Sequence, residues 1–481
     1  MSDNKECVLS VEELSTMKNA SIVGSTSNDN QSTEIGAISH DEAKVDERIR
    51  KLKILVEGAP IQSGERPPPK IQKVPFVLRG RKKFDKYYEP RVVSVGPIHH
   101  GKRNLRLSEQ YKPKLAARFI RESGQETRAL YRIIDDKIDQ LKDYYHEDVQ
   151  KAYDDKTLSW ILFFDGCSVL QFIYDFVQDQ LKDIMIKIDH IAFTLQDLFL
   201  LENQIPYEVL KLLIDSSRLS ADLKKSMESF IRINIMAPPD YSEKLSIDMD
   251  NLDFIPIHLL DLLQHVLVLD NNKEKEKKDI GRRENQSPQT FRSVQELKKA
   301  GIDFKPSGSC SLTDITFNSS FFTGLLHLPP LVVDKSTATT FVNLIAYENC
   351  LDNFRTRYEV TSYISFLDSL IDHANDVKEL RSTQILHNRL GSDEEVTSLF
   401  NEIGTDLVPN IKIYKDVRSD VMKYYKSKWM IKLAETYHDH FSSPSWTVLA
   451  FFGALLGLAL SAIQTWFVVF QPSDPNHSCQ H

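Results

Sequence analysis

The stretch "LSWILFFDGCSVLQFIYDFV", Leu158 to Val177, decides the fold. It is apolar and long enough to span a bilayer, which takes about 20 residues. Asp165 stands at its centre and Asp175 near its end, and ionisable groups at bilayer depth are expensive. The stretch therefore predicts a buried helix in the core of a globular domain, and its neighbours are read on that basis. Downstream, "DHIAFTLQDLFLLENQIPYEVLKLLIDSS" keeps apolar residues at helical spacing through Leu195, Leu198, Phe199 and Leu201, then breaks at Gln204-Ile205-Pro206. Pro206 suits the first turn of a new helix over Tyr207–Asp215. Glu202 and Asn203 fall at the break, where their side chains can satisfy free backbone groups.

Further along, "HLLDLLQHVLVL" reads as a helix, with His265 as a half-buried surface residue. Residues 270–289, "DNNKEKEKKDIGRRENQSPQ", read as a solvated charged loop inserted into the domain. "SVQELKKAGI" resumes helix and ends at Gly301. "LTDITFNSSFFTGLLHLPPLVVD" is the strand candidate, one small hairpin turning at Asn318-Ser319-Ser320. Helix returns in "TATTFVNLIAYENCL", in "TSYISFLDSLIDHANDVKELRSTQIL", and after the capping-box start Ser392…Glu395. Tyr414–Phe441 reads as a long polar-faced helix.

That helix leads into "WTVLAFFGALLGLALSAIQTWFVVF", Trp446 to Phe470, which carries no charged residue. Trp446 and Trp466 sit near its ends, where amphipathic rings favour the membrane interface. Residues 446–470 are thus expected to be a single C-terminal transmembrane helix in contact with membrane lipid, followed by a short tail, 471–481. Lys423, Lys426, Lys428 and Lys432 precede the span and no Lys or Arg follows it, which places the main domain in the cytosol. Two sequons, Asn285-Gln286-Ser287 and Asn318-Ser319-Ser320, would be used only if the domain were lumenal or extracellular. Gly453, Gly457 and Ser461 recur every four residues, a spacing that lets two membrane helices approach and suggests a homodimer.

At the other end, residues 1–45 are polar and rich in Ser, Asn, Asp and Glu, and are expected to be disordered. Residues 46–70 read as a helix and a Pro-rich linker, "GERPPPK". The N-terminus has no secretory-signal pattern. The 481 residues give a mainly α chain: a large helical domain over 71–441 with one small β-hairpin region, plus the terminal helix. Net charge is −8, so there is no overall electrostatic reason to bind nucleic acid. Five widely spaced cysteines with no CxxC argue against a zinc ribbon and a disulfide framework.

No phosphate-binding, dinucleotide, zinc-protease, hydrolase or kinase signature is present, so no cofactor is expected. The remaining candidate for chemistry is "SVGPIHHGKRNL", Ser94 to Leu105. His99 and His100 are adjacent, so their side chains diverge and at most one can enter a given site. The structural reading has Gly96, Pro97 and Gly101 shaping a tight loop, one imidazole buried and bonded to backbone, and Lys102 and Arg103 facing water. The alternative is a metal-dependent or hydrolytic enzyme using His99, His100 and a carboxylate such as Glu109 or Glu202.

Seven blocks carry a resemblance: "IQKVPFVLR", "YYEPRVVSVGPIHHG", "LLENQIPYEVL", "ITFNSSFFTGLLHLPPLVVD", "NLIAYENC", "TSYISFLDSLIDHANDVKEL" and "LFNEIG". In this order they resemble the plant domain-of-unknown-function 247 family over roughly residues 71–470. The chain departs from the family's pattern at Ile98, usually aromatic, and near Leu107-Ser108-Glu109, where a Met-Glu pair is usual and only Glu109 remains. The resemblance implies a plant membrane protein without established enzymatic activity, working through protein–protein contact. Some grass members are similar to pollen-side self-incompatibility determinants.

Overall fold

The computed structural model describes residues 47, 49–50, 69–79, 84–105, 108–250, 252, 254–269, 292–320, 323–427 and 446–469. The expectations for residues 1–45, for most of 46–70, for the 270–289 loop, for 428–441 and for the 471–481 tail lie outside them.

The domain is mainly helical, as the sequence predicts. Its longer helices are α1 (Lys112–Ser123), α2 (Thr127–Asp135), α3 (Asp155–Val177), α4 (Ile188–Asp197), α5 (Tyr207–Ser216), α6 (Ser220–Asn234), α7 (Leu259–Val268) and α8 (Val294–Lys299). A β-containing stretch follows: β1 (Ile302–Pro306), β2 (Thr316–Ser319), β3 (Gly324–Leu328) and β4 (Leu331–Val333). Then come α9 (Thr337–Glu348), α10 (Glu359–Asp368), α11 (Ala374–Ser382), β5 (Leu386–Asn388), α12 (Asp393–Gly404), α13 (Lys415–Lys426) and α14 (Trp446–Val469).

The decisive stretch is α3. Asp154 caps it by accepting the Thr157 N–H at 3.0 Å. It is apolar around most of its circumference, and α1, α2, α5 and α6 pack against it. Leu162, Phe163, Leu170 and Ile173 are buried in one continuous core, together with Asp165 and Asp175. Burial among partner helices separates α3 from α14, whose side chains from Leu449 onward are exposed throughout.

The β content exceeds the single predicted hairpin. The hairpin is β2–β3, antiparallel with Thr316 opposite His327, but β1 joins it as a parallel strand, Ile302 opposite Gly324. β4 pairs in parallel with β5, Leu331 opposite Leu386. β1, "IDFKP", carries Asp, Lys and Pro and is a poor strand former; its pairing is set by burial of Ile302 and Phe304. The helix predicted over residues 361–386 reaches only the first residue of β5. In the structure α11 stops at Ser382 and Gln384 adopts a left-handed φ of +62°. The region predicted as one helix is thus two helices and the start of a strand.

Candidate functional site

The loop from Arg91 to Gly101 crosses the N-terminal half of the core and is held there by buried polar side chains. Asp197, at the end of α4, accepts the N–H groups of Arg91, Val92 and Val93 at 3.0, 2.7 and 3.0 Å. Glu109 accepts the Ser94 N–H at 3.3 Å and the Ser94 hydroxyl. Asn203 Oδ1 accepts the Val95 N–H at 2.7 Å, while its Nδ2 donates to the carbonyls of Val93 and Asp197. Asp165, from the centre of α3, accepts the Gly96 N–H at 2.8 Å. Six consecutive amides, Arg91 to Gly96, that no helix or sheet would serve are thereby bonded, as buried backbone requires.

One cation sits among these anions. Lys112 Nζ lies 2.5 Å from Asp165 and donates to the Ser94 carbonyl at 2.8 Å; both charged side chains are nearly inaccessible. Burial pushes the Asp165 carboxyl above its usual range, and the Lys112 charge and the Gly96 amide oppose that shift. Burial likewise pushes Asp197 up to about 6 against the pull of its backbone donors.

The two histidines diverge as adjacency predicts. His99 is buried and His100 is exposed, its ring edge-on to Tyr153 at 6.1 Å. Among the described residues the His99 ring makes no bond to backbone. Its Nε2 faces Glu202 Oε2 at 3.4 Å, an ion-pair distance without hydrogen-bond alignment, and Nδ1 has no hydrogen-bond partner among the described residues. The sequence expectation is corrected on this point: a carboxylate two turns past α4 reaches the ring where a carbonyl was anticipated. Glu202 also accepts the Val74 N–H at 2.7 Å and lies 3.4 Å from Arg79. Burial pushes its pKa up, but His99, the Val74 amide and Arg79 outweigh burial and hold it below its usual range.

Glu202, Asn203 and Gln204 do satisfy free backbone groups, but mostly of other segments: Val74, Val93 and Val95 lie about a hundred residues away. Gln204 Nε2 donates to the carbonyls of Leu198 and Leu200, so it closes the turn after α4. Pro206 takes the residue before α5 and is not within it. Gly96 and Gly101 both have left-handed φ, +78° and +76°. Gly96 lies against the Gln204 carbonyl, so closely that a side chain would collide with it; Gly101 faces open space. The Pro97 carbonyl accepts the Tyr153 hydroxyl at 3.2 Å. Lys102 lies 3.4 Å from Glu89, and Arg103 is exposed.

Of the alternative enzyme set, the fold brings Glu202 to His99 and turns Glu109 to Ser94 and Lys112. Among the described residues no three His, Cys, Asp or Glu side chains gather as a metal-ligand set. The sequence reading missed Asp197 and Lys112. A signal for Asp165 was present, a lone charge in an apolar run; Lys112 lies in a charged helix and gives none.

A second polar centre was also missed. Glu348, at the end of α9, is fully buried and accepts the N–H groups of Val360 and Thr361 at 2.9 and 2.8 Å, at the start of α10. It also accepts Gln264 Nε2 from α7 at 2.9 Å. Burial raises its pKa to about 7. Nearby, His258 caps α7 by accepting the Asp261 N–H on Nδ1, and burial lowers its pKa to about 3.

These features define a class: a large helical domain whose irregular segments are tied to buried carboxylates and amides, followed by one apolar helix of membrane-spanning length. The family model described as DUF247, plant protein of unknown function, matches residues 71–460, and the chain belongs to that family. It is 28% identical over 411 residues to the UPF0481 protein At3g47200 of Arabidopsis thaliana, covering 79% of this chain and 82% of that one. It is 24% identical over 478 residues to a second Arabidopsis thaliana protein, the UPF0481 protein At3g02645, covering 80% and 87%. No solved structure matches.

Proposed function

We propose that the chain is a non-enzymatic, membrane-anchored plant protein that acts by protein–protein recognition, with its domain in the cytosol. The observation that carries the reading is α14. Its described side chains, Leu449 to Val469, are apolar but for Ser461, Gln464 and Thr465, and none is buried against the domain. An apolar face of that extent is not left in water, and 21 residues of helix suffice to cross a hydrocarbon core. The recognition role is supported by the Arg91–Gly101 network, whose carboxylates are occupied by backbone donors and by Lys112 and so are poorly placed to act on a substrate. In its narrowest form the reading is a pollen-side determinant of self-incompatibility, as the family resemblance implies.

Two experiments test it. Alkaline carbonate extraction of plant membranes should leave the full chain in the pellet and release a chain ending before Trp446; release of both would remove the anchor. Protease protection in sealed microsomes, with an N-terminal tag and an endoglycosidase lane, should give a digested tag and no glycan shift. A protected, glycosylated domain would reverse the orientation.

A second reading, a scaffold that dimerises through α14, rests on Gly453 and Gly457, which have nothing packed against them. Together with Ser461 they form an open small-residue stripe. Gly457→Leu should then abolish self-association and leave the domain folded. The enzyme reading rests on the His99–Glu202 contact alone, and stoichiometric zinc, iron or manganese in the purified chain would favour it.

A further inference from the structure

We infer that the groove between Pro238-Pro239 and the end of β5 binds a small organic anion, a carboxylate or phosphate group on an apolar body. The groove is open to solvent and offers about 360 Å³, within the size range of small-molecule sites. Pro238, Pro239 and Val332 give it apolar walls, Arg381 and Arg389 give it a basic rim, and His387 lies beside them.

Among the described residues the rim is only partly neutralised. Arg381 is paired with Asp393 at 3.0 Å. The side chains of Arg389 and His387 have no hydrogen bond or ion pair among the described residues. Both project to the same side, since they are two residues apart on extended backbone, and Val332 faces His387 across the β4–β5 pair. An unpaired guanidinium beside an apolar wall presents a planar fork of donors that matches a carboxylate or phosphate, with room for the rest of the ligand against hydrocarbon. On a chain whose net charge is −8, such a groove is a local attractor for anions.

The walls are also fixed before any ligand arrives. The Val332 N–H donates to the Met236 carbonyl at 2.7 Å, and the Arg389 N–H to the Val333 carbonyl at 2.8 Å, so both sides are tied to β4. Met236 and Gln384, which flank the groove, hold left-handed φ of +56° and +62° without being glycine. Both follow helix ends, at Asn234 and Ser382, so the two chain reversals that bound the groove are set by the fold. The inference does not depend on the membrane reading.

The test is isothermal titration of phenyl phosphate into the full-length chain in neutral detergent micelles, with inorganic phosphate and benzoate as separate arms. Phenyl phosphate and benzoate should bind, inorganic phosphate at least tenfold more weakly. Arg389→Ala should weaken phenyl phosphate at least tenfold with an unchanged circular-dichroism spectrum, and Lys225→Ala, on exposed α6 surface, should not. Absence of binding by both organic anions overturns the inference, as does unchanged binding by Arg389→Ala. Inorganic phosphate binding as tightly as phenyl phosphate overturns the role of the apolar wall and with it the ligand class.

Discussion

Gly96 and Gly101 offer an internally controlled perturbation of the central loop. Both have φ near +77°, so alanine meets the same conformational penalty at either, about 1–2 kcal/mol. Their surroundings differ. A Cβ at Gly101 would meet nothing within 4 Å, so Gly101→Ala should lose that penalty and no more. A Cβ at Gly96 would run into the Gln204 carbonyl, which also accepts the Tyr145 hydroxyl at 3.2 Å. Gln204 is further pinned by its bonds to Leu198 and Leu200, so it has no easy retreat. Overpacking of this kind adds about 1–3 kcal/mol. Moving Gly96 instead would break its bond to Asp165, at roughly 1–3 kcal/mol for a buried donor left unmade. Gly96→Ala should therefore cost about 2–5 kcal/mol in total, consistently more than Gly101→Ala. For a cooperative unit of this size 1 kcal/mol corresponds to roughly 1–2 °C in Tm. Thermal melts of the full chain in detergent, followed by circular dichroism, should separate the two variants by several degrees. Equal shifts, or a larger one for Gly101→Ala, would mean that the loop is not wedged against Gln204.

The Lys112–Asp165 pair should behave as a coupled unit: Asp165→Asn strands a buried ammonium and should cost about 3–5 kcal/mol, while Lys112→Met with Asp165→Asn should cost less than the two singles summed, read by a double-mutant cycle. His99→Ala should destabilise by about 2–3 kcal/mol and His100→Ala by less than about 0.5 kcal/mol, since only His99 is buried; equal urea midpoints would contradict this. The pH dependence should carry two opposite contributions. Glu348, raised to about 7, binds its proton more tightly folded than unfolded, so its contribution to stability grows as pH falls from about 7 towards 4.5. Relative to Glu348→Gln, the wild type should gain about 3 kcal/mol over that window. His258, lowered to about 3, is protonated first in the unfolded chain, so its contribution is lost as pH falls below 6.5. Relative to His258→Asn, the wild type should lose about 2 kcal/mol between pH 6.5 and 5. Parallel stability curves for wild type and either variant would remove that assignment.

Much of this was legible in the sequence because it follows from local pattern. Asp165 within an apolar run marks α3 as a core helix, the charge-free terminal run marks α14, and Ser392 marks the start of α12 by accepting the Glu395 N–H. Adjacent histidines must diverge, and they do. What was not legible depends on partners far apart in the chain. Glu202 and Asn203 announce themselves at a helix break, but nothing local says that their acceptors serve Val74 and Val95. β1 and β5 are short strands of weak propensity whose pairing exists only once the helices have brought them together. Lys112 reads as one more surface lysine until α3 places Asp165 beside it. The blocks "LLENQIPYEVL" and "NLIAYENC", which carry part of the family resemblance, hold Glu202, Asn203 and Glu348, whereas Lys112, Asp165 and Asp197 lie in none of the seven blocks.

The Arg91–Gly101 loop, which ends in Gly-Pro-Ile-His-His-Gly, is a fixed structural element and not a reactive, mobile one. Hydrogen exchange at the amides of Val92, Val93, Val95 and Gly96, measured by mass spectrometry on the full chain in detergent, tests it most directly. If Asp197, Asn203 and Asp165 hold these amides as the geometry indicates, they should exchange as slowly as the central turns of α3. Exchange at the rate of an open surface loop would contradict the claim and return His99 and Glu202 to consideration as a working site.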